Sequence, residues 1–468
     1  MNDVPPAKRV KISASTTSIT SINKSQDSSD TESEDFEEKK HQLIRKQQIE
    51  QRRLNNEVYL ETINRKVLDF DSEKICSISL SDSNVYGCLQ CNGYFHGRSK
   101  GSECFAHSIN EDHHVFISFN TFKFYILPEN YELDSETSEK LQDIRRLANP
   151  TFTRKRVDLL DKIPQTASDL NKQIYNPGFI GMVNFGSNDY ANVVFQSLAH
   201  TSSLRNYFLE DPERFQDTDL LWRLSLLIRK LWSPYLFKPC VSAHEVIQYI
   251  SNTTNKKFSL QKEHRPKDFL LWILNHINKE CTAELQTKII SQIFRGKLKM
   301  DSKGINFWLI SLSLPLPTLF KDGVGLNVPQ VELESLLKLK CLKFLKMPKA
   351  LIISIDRVDN TNRLIGVNNS GINSAVVKFN PDRLTLNGEP YRLSSNVCME
   401  IDNEDNIAST SNDKQFNKSD FGDKICYKIQ LLDKARDRWV EIKDLKVRYI
   451  DKELLFLSNS CLQIWEKQ

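Results

Sequence analysis

The chain has 468 residues, enough for two or more domains, and 39% of them are hydrophobic, which is sufficient for substantial cores. No apolar run reaches the roughly 20 residues of a membrane span, and no N-terminal apolar segment predicts secretion. The formal net charge of +4 is small for this length and by itself predicts no strong nucleic-acid field. Ten cysteines without a secretion signal favour reduced thiols and a metal site over a disulfide framework.

Residues 1–66 are predicted to form a disordered tail that ends in a charged helix. Near its start, Lys8, Arg9 and Lys11 follow two prolines and form a cluster typical of a nuclear localisation signal. Residues 13–38 are rich in Ser, Thr, Asp and Glu and have almost no apolar side chains for a core. We therefore expect the protein to be nuclear, the alternative interpretation being that the cluster is only a solvated basic patch.

The first predicted folded domain, residues 67–135, contains a set of candidate metal ligands. Cys88 and Cys91 form a Cys-x2-Cys pair, and His107 and His113 follow them. Two thiolates in a tight turn can hold one face of a metal ion, and two imidazoles can complete a tetrahedron. A lone Cys-x2-Cys pair in a reduced protein is otherwise a coincidence or a redox motif, but the two histidines favour a metal site.

The order of these residues resembles the zinc finger of ubiquitin proteases. The intervening segment 93–98 and the strand-like alternation over residues 113–119 follow the same pattern. The resemblance implies that the Cys2His2 set holds one structural Zn2+, with no open position for catalysis. The competing candidate ligands, which we rank lower, are His96, Cys104 and His114.

Fingers of this type in deubiquitinases often bind the carboxyl-terminal tail of ubiquitin through an arginine just after the second cysteine. In this chain Asn92 and Gly93 occupy that place. Without a bidentate clamp for the carboxylate, much of such binding should be lost. We therefore expect the finger to dock on proteins other than ubiquitin.

Residues 136–175 are predicted to be a linker and residues 176–468 a large domain. The large domain begins with a turn over residues 184–188 and an apolar-rich helix that continues to Leu198. This segment resembles the cysteine box of the ubiquitin-specific proteases, in which the helix N-terminus lowers the pKa of a nucleophilic thiol. The resemblance implies an α+β architecture, in which the zinc finger precedes a papain-like protease fold. In that fold, Asp189 occupies the position of the nucleophile.

Asp189 is a weak nucleophile toward an amide, so a structural role is the simpler interpretation. We expect Asn188 or Asp189 to cap the helix, with the carboxylate stabilised there by about 0.5–1 kcal/mol. Asn184 matches the family's oxyanion-stabilising side chain and is the one part of the catalytic apparatus that remains.

Later segments follow the same family in order, including Asp268 and Phe269 on a helix and a buried strand within residues 347–358. Active members supply a general base from a Gly-His-Tyr segment and an orienting acid from a Trp-Tyr-x-x-Asp-Asp segment. In this chain Asp423 stands where the histidine would be, and Lys443 stands where the acid would be. Because nucleophile, base and orienting acid are all replaced, we expect no proteolysis. The remaining cysteines of the domain are expected to be small buried residues: Cys240, Cys281, Cys341, Cys398, Cys426 and Cys461.

Three segments narrow the resemblance to the ubiquitin-protease-like splicing factors of the tri-snRNP, the snRNP-assembly-defective type: residues 190–192, 204–208 and 462–465. This implies a non-catalytic nuclear protein that supports the U4/U6.U5 tri-snRNP by docking on its proteins. Any association with snRNA is expected to be indirect, and neither ubiquitin nor membrane binding is expected. The alternatives are a ubiquitin-binding adaptor and a residual deubiquitinase that uses an unrecognised thiol.

Overall fold

The computed structural model describes residue 51 and residues 56–300, 303–315, 330–358, 372–402 and 424–468. The chain divides into two compact units, residues 1–61 and residues 62–468. In the first unit, residues 56–61 are helical. The predicted nuclear localisation cluster and Asp423 lie outside the described residues. Within the described part of the chain, no helix combines the length and the apolar content that crossing a membrane requires.

The second unit begins with a small antiparallel sheet and one helix. Its elements are β1 (Val85–Cys88), β2 (Tyr94–His96), α1 (Glu103–Asn110), β3 (Val115–Ser118), β4 (Phe124–Ile126) and β5 (Tyr131–Glu132). The strands are ordered β2-β1-β3-β4-β5. Strand β3 is buried at every position because it is central in the sheet. The buried side chains of Phe95, Phe116 and Leu127 form a small core around Cys88 and Cys104.

Short elements connect this sheet to the large domain. They are α2 (Ser135–Glu139), α3 (Gln142–Ala148), α4 (Arg154–Val157), β6 (Ala167–Ser168) and β7 (Ile174–Tyr175). The spacing of apolar residues in the charged stretch before Asn149 predicts one helix. The structure has two helices there, because the chain turns at Lys140 and Leu141. The connection packs on the large domain, where both Nη atoms of Arg205 donate to the carboxylate of Asp161 at 2.7 and 2.8 Å.

A layer of helices forms one side of the large domain. Its elements are β8 (Gly181–Met182), α5 (Asp189–Ala199), α6 (Ser202–Glu210), a 3-10 helix (Pro212–Phe215), α7 (Asp219–Leu231), β9 (Cys240–Val241), α8 (His244–Thr253), α9 (Pro266–Ala283) and α10 (Ile289–Phe294). Helix α5 is buried at every position. Its polar side chains are therefore satisfied by backbone: the amide of Asn192 donates to Val183 O, and that of Gln196 donates to Ile180 O.

The other side of the domain is mostly β-structure. Its elements are β10 (Gly296–Met300), β11 (Lys303–Phe307), β12 (Leu309–Ser313), β13 (Gln330–Glu332), α11 (Leu333–Leu339), β14 (Lys343–Lys346), β15 (Ala350–Asp356), β16 (Val376–Lys378), β17 (Leu384–Leu386), β18 (Glu389–Asp402), β19 (Lys424–Asp433), β20 (Arg438–Lys443), β21 (Lys446–Ile450), a 3-10 helix (Lys452–Leu457) and β22 (Asn459–Lys467). The main sheet has the order β12-β15-β22-β18-β19-β20-β21, with β17 paired to β18.

The predicted strand within residues 347–358 is β15, which lies inside this sheet. Its first six residues are all buried, as expected for a strand covered on both faces. Helix α5 packs on β18 and β19. This contact brings the loop before α5 against the middle of the sheet and thereby builds the cleft described below.

The expectation that all six cysteines of the large domain are buried is wrong for two of them. Cys341 is exposed and lies in the turn between α11 and β14. It also has a positive φ of 48° there. Cys240 is half-buried at the short strand β9, while the other four are buried.

Ion pairs hold the segment before the small sheet to the large domain. Lys230 on α7 pairs with Asp71 at 2.7 Å, and the side chains are only 5% and 13% exposed. Lys74 pairs with Glu245 on α8 at 2.8 Å, also largely shielded from solvent. Breaking such a buried pair from one side typically costs about 3–5 kcal/mol, so these contacts fix the position of the segment.

Candidate metal centre and active-site cleft

Four predicted ligands converge at one end of the small sheet. Cys88 ends β1, Cys91 lies in the turn that follows, His107 is on α1, and His113 precedes β3. Their candidate ligand atoms all lie within 4.8 Å of one another. Cys88 is buried, the histidines are half-buried and Cys91 is exposed, so one corner of the site faces solvent.

The distances within this set fit a tetrahedral Zn2+. Bonds of about 2.3 Å to sulfur and about 2.05 Å to nitrogen place a sulfur about 3.5 Å from a nitrogen, and two nitrogens about 3.3 Å apart. Cys88 Sγ lies 3.5 Å from His113 Nδ1, and Cys91 Sγ lies 3.5 Å from His107 Nε2. The two ring nitrogens are 3.1 Å apart. A zinc ion bound here would complete the small sheet's core and supply no catalysis, because the protein fills all four positions.

The three lower-ranked ligand candidates are engaged elsewhere. His96 Nδ1 contacts the carboxylate of Glu103 at 3.1 Å. His114 Nδ1 lies 2.9 Å from the carbonyl oxygen of Leu127. Cys104 is fully buried in the small core, and this burial raises the pKa of its thiol.

The turn after the cysteine pair is tightly packed around Asn92 and Gly93. Asn92 adopts a positive φ of 63°, and its side-chain oxygen and amide bond the backbone N–H and C=O of Asp69. A Cβ on Gly93 would lie 2.8 Å from the ring of Phe95 and 3.3 Å from Cys91 Sγ. The turn is therefore built for close packing and for attachment to the segment before it.

In the large domain, the loop before α5 is closed by its own side chains. The side-chain oxygen of Asn184 accepts hydrogen bonds from the backbone N–H groups of Gly186 at 3.1 Å and of Asn188 at 3.2 Å. Asn188 in turn accepts from Phe185 N and donates to Asn192 Oδ1. Gly186 has a φ of 136°, a conformation that favours glycine. Asn184 thus holds the turn together, and its oxygen is already occupied.

Asp189 joins the helix to the sheet. It is the first residue of α5, and its Oδ1 accepts a hydrogen bond from Tyr190 N at 2.9 Å. Its Oδ2 accepts from the backbone N–H of Tyr427 on β19 at 2.8 Å. One carboxylate therefore satisfies a free N–H of the helix terminus and bonds across the cleft.

Burial makes the carboxylate of Asp189 unfavourable as a charge. The side chain is only 8% exposed, and desolvation raises its pKa to about 6, even though the N–H groups of Tyr427 and Tyr190 lower it. Nearby Asp444 adds to the rise. The expectation that the helix terminus would make this charge favourable is wrong, because desolvation outweighs the helix N–H groups.

The space beside Asp189 is small. A cavity lined by Met182, Tyr427 and Asp444, among others, encloses about 10 Å³. That is no more than a single water molecule needs. The turn after β20 lies so close to β8 that a Cβ on Gly181 would be 2.6 Å from Leu445 Cα. A peptide tail has no room next to this carboxylate.

Lys443 belongs to a ladder of alternating charges on the sheet. It donates to Glu400 at 3.0 Å, and Glu400 also pairs with Lys428, which contacts Glu441 at 3.2 Å. Burial lowers the pKa of Lys443, but the interaction with Glu400 outweighs it and the net shift is upward. This side chain is a charged cross-strand brace. Among the described histidines, none hydrogen-bonds to Asp189.

The fold and these two sites can now be compared with those of known families. The model of the family described as ubiquitin carboxyl-terminal hydrolase matches residues 180–464, more than half of the chain. The chain belongs to the ubiquitin carboxyl-terminal hydrolase family. The model of a second family, described as a zinc finger in ubiquitin hydrolases and other proteins, matches residues 76–138 of the chain. The predicted α+β class, with a zinc-finger sheet before a protease-type domain, is confirmed.

Among its relatives, this hydrolase-family chain is similar to proteins named for splicing. It is 33% identical to the probable mRNA-splicing protein ubp10 of Schizosaccharomyces pombe, over 88% of this chain and 89% of that protein. It is 34% identical to the pre-mRNA-splicing factor SAD1 of Saccharomyces cerevisiae, over 88% and 94%. A solved structure described as an essential yeast splicing factor superposes with a TM-score of 0.74 at 32% identity, over 88% of this chain and all of that one.

Proposed function

We propose that this chain is a non-catalytic pre-mRNA splicing factor of the nucleus. In this proposal it supports assembly or stability of the U4/U6.U5 tri-snRNP by docking on its proteins. The observation that carries the non-catalytic part is Asp189, which occupies the nucleophile's position, bonds Tyr427 across the cleft and leaves about 10 Å³ beside it. The splicing part is supported by the names of relatives that match nearly the whole chain.

In this proposal the remaining catalytic roles are vacant as well. Asp423 replaces the base, and Lys443, which replaces the orienting acid, forms an ion pair with Glu400 instead. Acyl transfer to a thiol needs a nucleophile, a base to move its proton and a group to orient that base. Asn184 alone cannot supply them, because its side-chain amide can only donate a hydrogen bond to an oxyanion.

The metal centre has a structural role in this proposal. Cys88, Cys91, His107 and His113 hold one Zn2+, and the domain they stabilise spans residues 67–135. That domain serves as a docking module rather than a ubiquitin reader, because Asn92 and its neighbouring glycine occupy the place of the arginine. Nuclear entry is assigned to Lys8, Arg9 and Lys11.

Asp189→Cys should not restore hydrolysis, although it returns the family's nucleophile type to its position. The thiol would have no imidazole hydrogen-bonded to it and no room for a peptide tail. We expect the variant to release no fluorophore from a ubiquitin C-terminal fluorogenic substrate and to resist labelling by a ubiquitin-tail electrophile. The natural chain is the matched control. Labelling of the variant, but not of the natural chain, would show that a working base and an open cleft remain.

A tagged pull-down from nuclear extract tests the splicing role. We expect U4, U5 and U6 RNAs to be recovered together with their proteins, and free ubiquitin to show no saturable binding below about millimolar concentration, because the arginine clamp is absent. Recovery of ubiquitinated proteins without these RNAs would instead support the ubiquitin-binding adaptor. Failure to recover these RNAs at low salt concentration would contradict the proposal.

A further inference from the structure

The large domain contains a small three-stranded sheet that takes no part in the metal centre or the cleft. Its strands are ordered β11-β10-β14 and are antiparallel. They contain five lysines, two in β10, one in β11 and two in β14, and no acidic residue. All the charged side chains of these three strands are therefore positive.

The two faces of this sheet differ. On one face Leu298 pairs with Phe344, and Phe344 packs against the core of the main sheet. Lys297 and Lys299 alternate with Leu298 along β10 and so point to the opposite face. That face is exposed to solvent.

Four lysines meet on the exposed face. Lys297 is directly opposite Lys346, and Lys299 is directly opposite Lys343. The register shift between the first and second of these pairs brings both pairs to the same side of the sheet. We refer to these four side chains as the lysine face.

The lysine face holds two like-charge pairs without a counter-ion among the residues that the structure describes. Like charges directly opposite on neighbouring strands are destabilising, since their side chains start from Cβ atoms only about 5 Å apart. None of the four lysines forms an ion pair with another described residue. Leu345, which is 54% exposed, lies among them. An anion lying across both pairs would remove the repulsion.

We propose that the lysine face binds RNA through its phosphodiester backbone. Protein–protein interfaces are depleted in lysine, whereas nucleic-acid interfaces are strongly positive, so a nucleic acid fits better than an acidic protein. Lysine ammonium groups are flexible point charges that suit phosphates without a fixed geometry, and the face has no arginine fork for a carboxylate. The choice of RNA over DNA rests on the proposed splicing function; the surface itself rests on charge and register.

The test compares binding of a fluorescein-labelled, mixed-sequence, 20-nucleotide RNA by fluorescence anisotropy at several salt concentrations. The test variant of the full chain carries Lys297→Gln, Lys299→Gln, Lys343→Gln and Lys346→Gln. The matched control makes the same charge change at four exposed lysines elsewhere: Lys100→Gln, Lys155→Gln, Lys262→Gln and Lys279→Gln. Circular dichroism and zinc content establish that all three proteins are folded.

Four phosphate contacts on a single strand contribute about 3 to the slope of log affinity against log salt, which is about 50-fold between 50 and 200 mM salt. We expect the test variant to lose about that much slope and to bind on the order of 100-fold more weakly at 50 mM salt. The control should keep both the slope and the affinity of the natural chain.

Two results would overturn the proposal. One is equal RNA binding by the natural chain and the test variant. The other is that a labelled deca-glutamate peptide binds the natural chain as tightly as RNA does, and that the test variant loses this binding. The surface would then be a site for acidic proteins. The assay uses purified protein, so failure of the pull-down with intact RNA binding would count against the splicing role alone.

Discussion

Cys88→Ser should release zinc and unfold residues 67–135 while the large domain stays folded. Zinc bound by four such ligands contributes roughly 10–16 kcal/mol of apparent binding free energy, which in small domains is folding free energy. The four ligands come from β1, the turn after it, α1 and the residues just before β3, so loss of the ion disconnects short elements of only two to eight residues. Zinc per chain is measured by elemental mass spectrometry, and folding is measured by hydrogen exchange along the chain.

Cys341→Ser is the matched control, because Cys341 is exposed and far in sequence from the metal ligands. It should keep zinc and the exchange pattern of the natural chain. One equivalent of zinc retained after Cys88→Ser would contradict the assignment of this ligand. Collapse of both domains would contradict the proposed boundary at residue 135.

The ion pairs between the finger and the large domain determine how much stability the large domain loses when the finger unfolds. If the unfolded finger releases Asp71, Lys230 is left buried and unpaired, which costs about 3–5 kcal/mol. Domains are commonly stable by about 5–15 kcal/mol, so the large domain should become less stable without unfolding. Faster exchange on α7, which carries Lys230, would report this loss.

The candidate ligands could be predicted because metal binding leaves a recognisable pattern in the sequence, whereas the fold class followed from the resemblance to a known family. Two cysteines separated by two residues in a turn can hold one face of a metal ion, and Cys88 and Cys91 have that spacing. The buried strand β15 is likewise visible as an apolar run, interrupted only by Ser354, that ends at Asp356. The cysteine pair and this strand are both local features of the sequence.

The contacts that define the cleft could not be predicted in this way. Asp189 bonds the N–H of Tyr427, which is 238 positions later, and the backbone N–H of any residue would serve. The pairs that fix the finger join residues about 160–170 positions apart, such as Asp71 with Lys230 and Lys74 with Glu245. In the sequence these are ordinary charged residues.

The lysine face shows an intermediate case. The sequence shows its lysines and shows that Lys297 and Lys299 alternate with apolar residues. What the sequence does not contain is the register, including the shift that sets Lys346 opposite Lys297. A basic segment therefore becomes a surface only when the strands are paired.

Asp189→Asn should remove a pH dependence from the stability of the large domain. Burial raises the folded-state pKa of Asp189 to about 6 from a value of 3.8 for the unconstrained side chain. The folded protein therefore binds more protons than the unfolded one between these values. The stability from this group is fully present below about pH 3.8 and is lost as pH rises through about 6. Two pKa units correspond to about 3 kcal/mol in total, of which about 1–2 kcal/mol falls between pH 5 and 7.5.

Urea unfolding at pH 5 and pH 7.5, followed by tryptophan fluorescence, measures this difference. The free energy of unfolding of the natural chain, relative to that of Asp189→Asn, should fall by about 1–2 kcal/mol between the two pH values. The comparison cancels the histidines that both proteins share. Asp217→Asn, which removes an exposed carboxylate, should keep the natural dependence. If Asp189→Asn also keeps it, the carboxylate is not paying a desolvation penalty. The hydrogen bonds from Tyr190 and Tyr427 would then offset the cost of burying the charge.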